Sequence, residues 1–577
     1  AAAGAIDLAR AANVVGALGT LSFNDAFGYR SSTGFTVSGP LAPTDAGDAD
    51  ITIIADTGNL LVNAPIGAGG GTVRLTATAG GIDQANTGAG ITAGRLEVTA
   101  GGDALLAPTD GNAVGVLGDS TVGGTLAFRA TGDFALDGTI GQSASGGSVR
   151  MDAGGALTLN AGATLGFDTI TLNAQGLMTL GGTLGIDQAV PVSLVRLGAA
   201  GGITQEATGR IVAGSLGIRA AGDVLLSAGT NDVRLVAATT DGVFALDTNG
   251  ALATGSVTSI PLWGEAAASV SGVLGSSVTL SADALTINAG GLAGVNAGVH
   301  ASAADGVLTL RADTLALNAF AAAGDPTAVT NFNGTIAVAP RTLGRAVVLG
   351  GADAAALSLT TLDLARPAAR NLVIGRSEIG AGALAVAGAV SPLSGVNSVL
   401  LQGGGITLDG TFTLATANGL LTLSAVTGDI VQGAGSVSAA HLFAEALSGS
   451  VRLDGITVLN QVTQLAGEAA EDFAFRGAGS YAIAAPGIAA DGTVTLLAPS
   501  GGVTQALGAP IVADRLVAIA SGAVVLDGGG ATAGDADLNR VATLGPSSGT
   551  SLTFRNAEAL RVEGATAFVS IMEGCSK

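Results

Sequence analysis

The chain has 577 residues, of which 93 are glycine, with 48% hydrophobic residues, only 12% charged residues and a net charge of -21. That aliphatic content excludes a disordered chain, and every apolar run is broken by Gly, Asp, Thr or Arg well before the ~18 residues a membrane helix needs. The acidic balance, with Lys577 the only lysine and no basic patch, opposes binding to nucleic acid or anionic lipid, and the broken apolar runs argue against direct membrane insertion.

From the N-terminus, Asn13–Leu18 (NVVGAL) and Thr20–Phe23 (TLSF) match only the back half of a unit that appears in full further on. The first full copy runs GGIDQ (Gly80–Gln84), ITAGRL (Ile91–Leu96), NAVGVL (Asn112–Leu117) and TLAFR (Thr125–Arg129). The second runs GGITQ (Gly201–Gln205), IVAGSL (Ile211–Leu216), NDVRL (Asn231–Leu235) and a weaker aromatic run at Phe244. The third has GDIVQ (Gly428–Gln432), VSAAHL (Val437–Leu442), NQVTQL (Asn460–Leu465) and DFAFR (Asp472–Arg476). The fourth has GGVTQ (Gly501–Gln505), IVADRL (Ile511–Leu516), NRVATL (Asn539–Leu544) and SLTFR (Ser551–Arg555). Long, drifting repeats of this kind mark a solenoid, in which each repeat buries its face by stacking on the next. The chain is expected to begin in mid-repeat, as a segment of a longer precursor, with one solenoid over residues 1–570 and a tail at 571–577.

Between the copies a finer period appears. Leu126 and Phe128 alternate with polar neighbours, followed by Phe134 and Leu136, then Ile140. The triplet returns at Val149 and Met151, Leu157 and Leu159, Leu165, and again at Ile170 and Leu172, Leu177 and Leu180, Leu184, at spacings of roughly 19–25 residues. Period-two segments separated by Gly, Asp or Asn turns, about three per turn, predict an all-β parallel β-helix. Pro261–Ala268, Phe320–Pro340 and Arg366–Asn371 break the pattern and are expected to be inserted loops, the first carrying Trp263 as a candidate recognition residue.

Side-chain roles follow from this pattern. Phe128, Phe475 and Phe554 should point inward, with the Arg after each pointing outward. Gln84, Gln205, Gln432 and Gln505 should satisfy turn backbone groups, Asn112, Asn231, Asn460 and Asn539 are structural positions that lead a recurring run, and Asn288 and Asn318, like Asn63, Asn160 and Asn173 before Ala, should lie at corners. The run PTDAGDADI places Asp45, Asp48 and Asp50 together, a weak calcium candidate because the closing Glu of a twelve-residue calcium loop is missing; a solvated turn is the preferred reading. Asp535 and Asp537 repeat its GDAD tetrapeptide. His300 and His441 lack ligand company, and no other cofactor is expected. Cys575 is the only cysteine, so no internal disulfide forms.

The GG[IV]xQ, IxAxxL and NxVxxL series resembles the repeat region of filamentous-haemagglutinin-like exoproteins, exported from Gram-negative bacteria by two-partner secretion, over about Asn13–Val569. The resemblance implies a right-handed β-helix on the bacterial surface, outside the cell, with a role in adhesion, biofilm or cell contact. Its partners would be other copies of itself, surface proteins or glycans, and an outer-membrane secretion partner. The family's NPNL- and NPNG-type secretion signatures are absent. The alternative is a self-assembling subunit that stacks end to end into an extracellular filament or matrix. Parallel β-helices also host polysaccharide lyases and hydrolases, and Asp133, Asp137 and Asp152 fall on adjacent turns. Such sites stack sugars on aromatics, and Trp263, Tyr29 and Tyr481 are the only Trp and Tyr here; the chain therefore reads as non-catalytic.

Overall fold

The computed structural model describes the chain except for residues 1–3, 45–46, 189, 289–297, 319–328, 366, 393–394, 529–536, 565–566 and 574–577. The chain divides into two compact units, Ala1–Ala282 with Asn288–Val299, and Asp283–Ile287 with His300–Lys577. Each is a parallel β-solenoid built from short strands with up to three per turn.

The period-two pattern becomes columns of inward side chains, because parallel in-register pairing places equivalent residues of successive turns on top of one another. In the first unit, Leu126 pairs with Val149, which pairs with Ile170, then Val195, Leu216 and Val236. A second side stacks Phe134, Leu157, Met178, Ile203, Val224 and Phe244. A third stacks Ile140, Leu165, Leu184 and Ile211. In the second unit Leu384, Ile406, Ile430, Val451, Phe473, Val494 and Leu516 form one column. All of these residues are buried. Each turn alone would expose its apolar row, so stability comes from stacking rather than from any one turn.

Several sequence expectations need correction. Met178, not Leu177, continues the column below Leu157, and Leu177 is 47% exposed. The pleat explains this, because a one-residue shift moves a side chain to the opposite face. Pro261–Ala268 is not a loop: Ser256–Leu262 and Glu265–Ser271 pair antiparallel as a hairpin. Val329–Ala339 and Ala368–Gly375 are strands paired in parallel with each other, so much of the second and third expected loops belongs to the ladder. Phe320 lies outside the described residues. The helix among the described residues is one turn at Thr361–Leu364, closed by a reciprocal capping box between Thr360 and Asp363.

Candidate functional site: buried clamps, turn caps and the Trp263 cleft

The four motif copies converge on one device. Gln84 Nε2 donates to Asn112 Oδ1 at 2.7 Å and to the Ala89 carbonyl at 2.6 Å. Asn112 Nδ2 in turn donates to the Leu106 carbonyl at 2.9 Å, while its Oδ1 accepts the Ile91 N–H at 2.9 Å. One asparagine thus ties the glutamine of GG[IV]xQ to the first residue of IxAxxL. The second copy repeats it, with Gln205 Nε2 to Asn231 Oδ1 at 2.7 Å and Ile211 N–H to the same oxygen at 2.8 Å. In the fourth, Gln505 Nε2 reaches Asn539 Oδ1 at 2.8 Å and Ile511 N–H reaches it at 2.9 Å. The third differs in detail. Asn460 Nδ2 donates to Gln432 Oε1 at 3.0 Å, and Gln432 Nε2 turns to the carbonyls of Gly435 and Val458. All four asparagines are fully buried. A buried amide needs every hydrogen bond it can find, which is why the motif's two halves recur together.

The phenylalanines lie where strand alternation puts them, Phe128, Phe475 and Phe554 all with no exposed surface. Phe128 packs against Phe134 with ring centroids 5.3 Å apart, and Phe475 meets Tyr481 edge-on at 5.1 Å.

The carboxylates serve the turns. Asp48 accepts the Gly70 N–H at 2.6 Å and Asp50 the Thr72 N–H at 2.9 Å, each from the following turn. The Thr72 N–H and the Arg74 guanidinium hold the Asp50 carboxyl below the usual carboxylate range. Asp103, Asp119, Asp133, Asp223 and Asp472 cap later N–H groups in the same manner. Asp133, Asp137 and Asp152 are engaged separately, with the Ala156 N–H, with Arg95 and with Arg150. Among the described residues there is no group of three His, Cys, Asp or Glu side chains placed to hold a metal ion. Asp45, Asp535 and Cys575 lie outside the described residues. His300 Nδ1 meets Thr330 Oγ1, and burial pushes its pKa down. His441 sits in the Val437–Ala446 strand beside Phe443.

The feature that departs from the repeat is the hairpin carrying Trp263. It folds back across the outer face of its own solenoid, packing Val257, Ile260 and Val270 with Ala237, Leu194 and Leu235. Two neighbouring outward columns receive it. One runs Arg129, Asp152, Asn173, Gly198, Arg219, and the other Ala127, Arg150, Thr171, Arg196, Gly217. The two glycines make the seat. A Cβ on Gly198 would lie 2.3 Å from the Pro261 carbonyl oxygen, and one on Gly217 would lie 2.6 Å from Val257 Cγ1. Arginines fasten the hairpin: Arg196 Nε donates to the Thr258 carbonyl at 2.8 Å, and Arg219 binds Glu265 and the Ala266 carbonyl. Beside it remains a cleft of about 440 Å³ lined by Arg129, Arg150, Asp152, Asn173, Trp263 and Glu265 among others. The Arg129 guanidinium lies over the Trp263 ring, 5.9 Å from its centroid.

Sequence reading finds Trp263 and the Phe-Arg motif separately. It misses that Arg129 and Trp263 meet, it misses Arg150, and it gives Asp152 and Asn173 no place in this cleft. The usable signal was Gly198 and Gly217, flat spots in outward columns that otherwise carry side chains. No family model, curated protein or solved structure matches the chain, so its architecture rests on its own repeats and ladders.

Proposed function

We propose that the chain is a non-catalytic β-helical protein of the bacterial cell surface, of the filamentous-haemagglutinin-like type, acting outside the cell in contact with other molecules. The observation that carries this reading is the hairpin. In a fold where polar side chains cap turns and clamp strands, one hairpin among the described residues leaves the ladder to build an open cleft lined by Arg129, Arg150, Asp152 and Glu265 around the only tryptophan. Recurrent solenoid turns supply a rigid support, and a departure from the repeat is where specific contact is built. Employment of the aspartates as turn caps supports a structural rather than a catalytic use of those groups. Immunogold labelling of intact and permeabilised native cells with antibody to the purified chain tests the location. Labelling of intact cells is expected; labelling only after permeabilisation would overturn the proposal.

A further inference from the structure

The cleft beside the hairpin contains one open group with an unmet demand, Arg129, while a second, Asn173 Oδ1, is sealed beneath the hairpin. Arg129 has no side-chain hydrogen bond or ion pair among the described residues; its contact is the Trp263 ring face. Asn173 is 93% buried, the complement of its 7% exposure, and its Oδ1 has no hydrogen-bond partner. The amide orientation follows from its neighbour. Nδ2 donates to Asp152 Oδ1 at 3.4 Å, and an ionised carboxylate only accepts, so Oδ1 is left on the other side. Oδ1 and the Pro261 carbonyl oxygen both approach the point where Gly198 would carry a Cβ, at 3.1 and 2.3 Å. Two acceptors therefore converge on one spot, and a buried acceptor without a donor costs about 1–3 kcal/mol.

The demand at Arg129 defines a ligand. Arg129, unlike Arg150, which already pairs with Asp152, calls for an anion with planar oxygens, since a guanidinium fork matches a carboxylate bidentately. The partly exposed Trp263 indole offers an apolar platform. A hexuronic-acid ring carries a carboxylate, hydroxyls and an apolar C–H face within one small unit, and the cleft volume lies in the range of small-ligand sites. We propose that the Trp263 cleft is a binding site for an acidic saccharide, with the sugar carboxylate on Arg129 and the ring face on Trp263. This deepens the contact role proposed above, but the test on the purified chain is independent of where the protein resides.

Trp263 is the only tryptophan, so its emission reports directly on the cleft. The purified chain is titrated with galacturonic-acid trisaccharide, with its methyl ester, and with an acidic peptide of matching charge. The acid form is expected to shift the emission, with the ester bound about tenfold more weakly. Arg129→Gln should erase that preference. Arg476→Gln, in another Phe-Arg motif, should change neither. Circular dichroism checks that each variant is folded, and calorimetry on the unaltered chain gives a second readout. Equal binding of acid and ester, tighter binding of the peptide, or no heat and no shift with any sugar at about 10 mM, well above a millimolar Kd, would overturn the proposal.

Discussion

Replacing Asn112 with leucine should cost far more than replacing its partner Gln84, although the two side chains share hydrogen bonds. Asn112 is fully buried and serves the Ile91 N–H, the Gln84 amide and the Leu106 carbonyl at once. Asn112→Leu leaves three buried groups without their partner, at about 1–3 kcal/mol each. Burial of the leucine returns about 2 kcal/mol, for a net loss of about 4 kcal/mol. Gln84→Leu leaves Asn112 still bound to Ile91 and Leu106 and removes one donor from the Ala89 carbonyl, a loss of about 1–2 kcal/mol. Because stacked repeats open locally, hydrogen exchange at the Ile91 amide and its neighbours is the proper assay. A double-mutant cycle should return a coupling of about 1–2 kcal/mol, since the second substitution removes a group already stranded. Equal losses for the two single variants, or additivity in the cycle, would refute the clamp argument.

Phe475→Ala, at a fully buried ring in contact with Tyr481, should destabilise the second unit by about 3–5 kcal/mol in urea titration, whereas Phe475→Leu should cost about 1 kcal/mol. Gly198→Ala should lift the hairpin without disturbing the columns beneath, because the new methyl meets the Pro261 carbonyl; a red shift of Trp263 emission with unchanged far-ultraviolet circular dichroism is the expected reading. Asp50 has a folded pKa depressed chiefly by the Thr72 N–H, so its contribution is present above the unfolded value and is lost as pH falls through the folded one. The Thr72 amide should therefore lose exchange protection below about pH 4, beyond the change in intrinsic rate, and Asp50→Asn should flatten that dependence.

The solenoid was legible because its rule is local. Alternation in Leu126–Phe128 and Phe134–Leu136 specifies inward faces, and Gly- or Asp-rich breaks specify corners. Register was less so, since Leu177 and Met178 are both apolar and only stacking on Leu157 decides between them. The clamp was half legible: the Gln and Asn motifs stood out, but their meeting depends on how many residues each turn consumes. The Trp263 cleft was the least legible. Arg129 and Trp263 are far apart in the chain, and what joins them is a hairpin whose apolar residues Val257, Ile260 and Val270 read as an interruption when no partner surface is in view.

The clamps also bear on how the molecule would yield to pulling. Two lie in each unit, and each ties together strands that a tensile load along the chain would peel away in succession. Ordinary turns between them are held by short ladders whose bonds break singly, whereas a clamp must lose several shielded bonds in a single event. Extension of one molecule should therefore proceed by low, even peeling interrupted by a few higher force peaks, with the clamp positions setting where the trace arrests.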